Sequence, residues 1–256
     1  MNKELVRLKK LSLQADELNS SGKIEAARIK IIDGLELAIE IDAQNFFYFF
    51  HGELNYLDEH LVAATEHYRK AYELAPQNLL MLRGLGVAYS KRNSFQKAQA
   101  IFDRAVKLHP HDHRIWRQRG VTYSKMKEYE NALKCFERAL DLEPQDYHSY
   151  RQRGVTFSKA GKPEEALIMF AKALFLNGND FRSLDEKSKV LRQFGEEAEA
   201  ARTRSLSIEI EQEVTRVPPR ESLLARIKMN RIRKNQQRIL TEFHTAIVEE
   251  NRPSFK

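Results

Sequence analysis

Residues 79–112 read LLMLRGLGVAYSKRNSFQKAQAIFDRAVKLHPHD, and residues 113–146 read HRIWRQRGVTYSKMKEYENALKCFERALDLEPQD. Laid one over the other, they place Gly86 over Gly120, Tyr89 over Tyr123, Ala98 over Ala132, Phe102 over Phe136, Ala105 over Ala139 and Pro110 over Pro144, each pair 34 residues apart. The interval continues in both directions through Gly52 and Gly154, Ala64, Ala166 and Ala200, Ala71 and Ala173, Tyr68 and Phe170, and Pro76. A fixed period of about 20–50 residues marks a solenoid, in which each unit buries its apolar face only against its neighbours. With glycine setting the register, the units are 45–78, 79–112, 113–146 and 147–180.

Each unit has two halves. Trp116, Gly120 and Tyr123 form a stripe at helical spacing in the first, and Ala132, Phe136 and Ala139 form one in the second. Small residues at fixed places let two helix backbones approach closely, and the ring fills the space beside them. Proline near the end of a unit stops the second helix. Short polar turns such as Met126-Lys127-Glu128-Tyr129 separate the halves, so each unit is a helix–turn–helix hairpin.

This pattern resembles the tetratricopeptide repeat family. Leu85, Gly86, Tyr89, Ala98, Phe102, Ala105 and Pro110 match its motif in unit 79–112. Trp116, Gly120, Tyr123, Ala132, Phe136, Ala139 and Pro144 match it in unit 113–146. Unit 147–180 lacks only the proline, replaced by Gly178, and unit 45–78 has Asn55 at the tyrosine place. The resemblance implies an all-α, right-handed superhelical solenoid that binds partner proteins in a concave groove.

The flanks read as degenerate relatives. Residues 1–44 form an N-terminal hairpin around Ser20-Ser21-Gly22-Lys23, with a second helix about one turn too long for the period. Residues 181–217 form a capping hairpin that keeps Ala200 but has Ser188 at the glycine place. Pro218-Pro219 then breaks the array, and within 218–256 a basic helix is expected over 220–250. Its apolar residues, Leu223, Leu224, Ile227, Ile232, Ile239, Leu240, Phe243 and Ile247, could pair with a second copy or another protein.

Composition narrows the class. The 256 residues carry 43 Lys+Arg against 36 Asp+Glu, a net +7. The last 38 residues hold +5 and the four good repeats +4, with −1 in each degenerate hairpin. The single Cys135 excludes an intramolecular disulfide, which fits a reducing, cytoplasmic setting, and no membrane span is expected.

Charge also has a pattern inside the repeats. Positions 2, 5, 9 and 12 of each unit share one face of the first helix, and the family resemblance makes that face the groove lining. Arg83, Arg117 and Arg151 hold position 5, Lys91, Lys125 and Lys159 hold position 13, and Leu80, Arg114, His148 and Arg182 hold position 2. Val87, Val121 and Val155 run between them. Such rows suit an acidic peptide or helix, because guanidinium groups capture carboxylates bidentately. A solvated face made basic by repeat duplication is the alternative. Phe46 and Phe49, at positions 2 and 5 of the first unit, either pack on the preceding hairpin or form an apolar pocket at one end of the groove. The family's carboxylate clamp needs asparagine where this chain has Glu53 or valine, so binding through that clamp is not expected.

A second surface is the cluster Arg226, Lys228, Arg231, Arg233, Lys234 and Arg238, which could serve nucleic acid or an anionic partner. No metal site is assigned: His109, His111 and His113 alternate at a hairpin junction, where polar linkers are ordinary. Cys135 reads as a buried thiol, no catalytic constellation or cofactor motif stands out, and the chain is expected to be a non-catalytic scaffold or adaptor, or a regulatory subunit of a separate enzyme.

Overall fold

The computed structural model describes residues 3–216. Twelve helices form six hairpins among them: α1 (Lys3–Ser20) with α2 (Ile24–Glu40), α3 (Gln44–Leu57) with α4 (Leu61–Leu74), α5 (Leu79–Lys91) with α6 (Phe95–Leu108), α7 (His113–Lys125) with α8 (Tyr129–Leu142), α9 (Tyr147–Lys159) with α10 (Pro163–Leu176), and α11 (Phe181–Gln193) with α12 (Glu197–Thr215). None of them is long and apolar enough to cross a membrane.

The periodic residues build the core. Ala64, Ala98, Ala132, Ala166 and Ala200 are fully buried, as are Ala71, Ala105, Ala139 and Ala173. Each ring of the aromatic series lies over a glycine of its own hairpin: Tyr68 on Gly52, Phe102 on Gly86, Phe136 on Gly120 and Phe170 on Gly154. A methyl group at any of these glycines would stand 2.7 or 2.8 Å from the ring. Tyr68 covers Gly84 of the next hairpin as well.

Turn geometry repeats with the same interval. Glu59, Asn93, Lys127, Gly161 and Gly195 take left-handed φ values between 57° and 77°. The next residue in each case donates its amide to the carbonyl five positions back, as in Ser94 to Tyr89 and Glu128 to Tyr123, which is the Schellman closure of a helix. Gly22 is the corresponding residue of the first hairpin and lies 37 residues before Glu59. The three-residue slip is taken up by α2, which has 17 residues where α4, α6, α8 and α10 have 14.

The core here corrects one expectation. Phe46 and Phe49 are 2% and 1% exposed, and they pack with Phe50 in the core shared by α2, α3 and α4. They provide no apolar pocket in the groove. Gly34 of α2 receives the Phe50 ring, which seats α3 on the first hairpin.

The array also closes on itself. The α1–α2 turn reaches the sixth hairpin, where Arg182 of α11 donates to the carbonyl oxygens of Asn19 and Ser20. The Phe181 ring sits against Gly22, with Val214 of α12 beside it. The first and last hairpins thus meet, and the inner helices surround a central concavity of about 1080 Å³.

Candidate functional site

The inner face is built by α3, α5, α7, α9 and α11, the first helices of consecutive hairpins, with the end of α1 and part of α12 completing the wall. Valines 87, 121 and 155 line it, half-buried, one per hairpin. Gly84, Gln118 and Gln152 lie beside them.

The position-5 arginines do face inward, but they are internally paired. Arg83, Arg117 and Arg151 are only 8%, 6% and 7% exposed. Arg117 Nη1 donates to both carboxylate oxygens of Asp146, at 2.9 and 2.7 Å, and Arg151 Nη1 donates to Asp180 at 2.6 Å. Each aspartate lies 29 residues beyond its arginine, at the start of the next hairpin, and also accepts from a serine hydroxyl, Ser149 or Ser183. Burial would raise the Asp146 carboxyl, but the Arg117 guanidinium and these hydrogen bonds hold it below the usual range. The acids missing from the stripe itself are therefore supplied by Asp146 and Asp180. Sequence reasoning passed over them, although Asp112, Asp146 and Asp180 share the 34-residue interval.

Arg83 departs from the rule. Its Nη1 donates to Asp16 of α1 at 2.9 Å, while Asp112, the equivalent acid, caps α7 by accepting from the Ile115 amide. Asp16 thus brings a carboxylate of the N-terminal hairpin into the groove. Its pKa is lowered: burial works against ionisation, and the fields of Arg83, Arg117 and Arg114 overcome it.

Three of the four position-2 residues are committed or uncharged, and the fourth, Arg114, is half-buried and adds its charge to the field at Asp16. His148 Nδ1 accepts from Arg151 at 3.2 Å, and burial together with Arg117 and Arg151 pushes the imidazole pKa down to about 3. His148 is therefore neutral at pH 7 and is no anion-binding cation. Arg182 is spent on the ring closure. Leu80 is buried in the core.

The lysines behave differently. Lys91 and Lys159 are exposed and Lys125 is half-buried. Lys125 Nζ donates to the Ser90 carbonyl oxygen at 3.2 Å. No carboxylate among the described residues forms an ion pair with any of the three. Burial, then the neighbouring Lys91 and Lys159 charges, bring the Lys125 ammonium down to about pKa 8. Beneath this row, Thr122 Oγ1 lies 3.0 Å from Ser90 Oγ, and Thr156 Oγ1 lies 2.9 Å from Ser124 Oγ, holding the three helices in register.

Acidic side chains also stand at both ends of the groove, where Asp185 pairs with Arg204 and Lys189, and Glu186 with Lys189. Glu53 and Glu59 belong to the second hairpin, and Asp185, Glu186 and Glu211 to the sixth. Glu53 replaces the valine of the other repeats and accepts from the Tyr68 hydroxyl at 2.6 Å. Burial, reinforced by the Asp16 charge and opposed by the Tyr68 hydrogen bond, pushes its pKa up to about 7. The expected second basic surface, Arg226 to Arg238, lies outside the described residues. No group of three or more His, Cys, Asp or Glu side chains suited to a metal occurs among the described residues.

Comparison with known proteins agrees with this architecture. Two tetratricopeptide repeat models match, over residues 85–146 and 118–181. A search of curated protein sequences finds no match. Among solved structures, PilF of Pseudomonas aeruginosa superposes with a TM-score of 0.56 at 20% identity, covering 77% of this chain and 87% of its own. MamA of Desulfovibrio magneticus RS-1 gives 0.52 at 18% identity, covering 66% and 96%. A further crystal structure of MamA gives 0.51 at 18% identity, covering 63% and 95%. At these identities the likeness is one of fold. The matched models identify tetratricopeptide repeats within residues 85–181, and the hairpins across the described residues share the all-α fold of a tetratricopeptide-repeat solenoid.

Proposed function

We infer that the chain is a non-catalytic interaction scaffold whose concave face captures an acidic segment of another protein. The observation that carries this reading is the contrast between two rows of cations. The arginines are matched by aspartates and hold the hairpins together, whereas Lys91, Lys125 and Lys159 have no carboxylate partner among the described residues. The Lys125 ammonium, made less basic by burial and by the Lys91 and Lys159 charges, gains most from an incoming anion. Val87, Val121 and Val155 supply the apolar strip alongside.

Spacing defines the ligand further. Packed helices lie roughly 8–10 Å apart, and an extended chain advances about 3.3 Å per residue. An extended segment with an acidic residue at about every third position matches the row.

The test is binding of such a peptide, measured by fluorescence anisotropy. Reversing the row (Lys91→Glu, Lys125→Glu and Lys159→Glu together) should abolish capture with little change in melting temperature, because the three side chains form no ion pair with a described carboxylate. Capture should also weaken about tenfold between pH 7 and pH 9 as Lys125 loses its proton in the free protein. Unaltered binding by the triple variant would overturn the proposal.

A further inference from the structure

The outer face of α10 differs from its counterparts. Phe175 is 91% exposed and Ile168 is 54% exposed. The preceding repeats have Asp141, Lys107 and Glu73 where Phe175 stands, and Lys134, Ala100 and Glu66 where Ile168 stands. The same outward surface is thus charged or small on α4, α6 and α8 and strongly apolar on α10. Neither residue serves the solenoid core, so packing within the chain does not account for them.

Glu164, Ile168, Lys172 and Phe175 fall at i, i+4, i+8 and i+11, which is one stripe of the helix, and Ala171 beside it is small. All five are exposed. The stripe is self-complementary when run antiparallel. With Ile168 opposite its own copy, Glu164 faces Lys172, Lys172 faces Glu164, and Phe175 falls over Gly161 of the other chain. Gly161 is exposed, and a methyl group placed there would meet nothing within 4 Å, so the ring has room. The Lys172 ammonium is already held, 5.8 Å from the centre of the Tyr150 ring.

We propose that this stripe is a two-fold interface with a second copy of the chain, made by antiparallel α10 helices crossing at Ile168 and closed by two Glu164–Lys172 ion pairs. A two-fold contact requires a patch that matches itself, and this one does in both shape and charge. Three turns of one helix per copy bury less than the roughly 1200 Å² of a stable complex, so the dimer is weak, with a dissociation constant on the order of 10–100 µM. It leaves the concave face open in both copies.

Sedimentation of the full chain from about 1 to 500 µM tests this. The expected result is a concentration-dependent dimer. Ile168→Lys with Phe175→Asp gives the fifth hairpin the residues that the fourth carries as Lys134 and Asp141, so folding is preserved and the protein should sediment as a monomer throughout. Glu164→Lys alone should weaken association at least tenfold, and adding Lys172→Glu should restore it. A wild-type chain that stays monomeric overturns the proposal, whether residues 217–256 or a different protein covers the stripe. Association that survives Ile168→Lys with Phe175→Asp overturns it in favour of another surface, and failure of the charge exchange to restore the dimer overturns the antiparallel register.

Discussion

Gly120 and Phe136 show how tightly single residues are bound to the fold. Alanine has about 1 kcal/mol better helix propensity than glycine in a helix interior, so Gly120→Ala would stabilise an ordinary helix. Here the new methyl would lie 2.8 Å from the Phe136 ring, which is itself fully buried. Relieving that overlap costs roughly 1–3 kcal/mol, so urea denaturation should show a net loss of stability, and Gly120→Ala with Phe136→Leu should recover part of it. Glu53 makes a prediction of a different kind. Its carboxyl has a folded pKa of about 7 against 4.5 for the free group, so between those values the folded chain binds more protons than the unfolded one. Stability from this group is full below pH 4.5 and is lost as pH rises through 7. Glu53→Gln should therefore gain stability over the wild type at pH 8 but not at pH 4.5, as read from denaturation midpoints at the two values.

At the scale of helices, much of the architecture is legible in the sequence because the 34-residue interval encodes hairpin geometry directly: a glycine, a ring over it and an alanine on either side. The charge on the inner helices was only half legible. Arg117 and Arg151 could be placed on the inner face, but their partners Asp146 and Asp180 come from the following hairpin and do not belong to the same stripe. A helix-by-helix reading sees an unopposed arginine row where packing makes inter-hairpin ties. Phe46 and Phe49 were misplaced for a related reason, since their rings pack into a core shared with the preceding hairpin, which a reading of α3 alone does not reveal. The ties have energetic weight. Arg117 and Asp146 are both almost fully buried, so Asp146→Asn leaves a guanidinium without its counter-charge and should cost on the order of 3 kcal/mol in chemical denaturation. Helical content should remain, because Asp146 makes no capping bond to α9.

For the molecule as a whole, the contact between the α1–α2 turn and α11 matters most. Asp16 and Arg182 draw the N-terminal hairpin across the inner helices from two points, one at Arg83 and one at the sixth hairpin. Arg182→Ala should remove the second. Charge-assisted hydrogen bonds are worth about 1.5–3 kcal/mol, and the loss should appear as faster hydrogen exchange along α1 and α12, with α7 and α8 little affected. Equal exchange in the variant would mean that Phe181 and Gly22 hold the joint without the guanidinium.

An open stack of repeats has two ends, and unfolding can begin at either and travel inward one unit at a time. Here the ends hold each other through groups 162 residues apart in sequence. Neither terminal hairpin can detach without breaking a bond to the other. The chain then behaves less like a row of separable units than like a hoop under a clasp. That clasp must close late in folding, after the intervening hairpins have set the curvature that brings its two halves together.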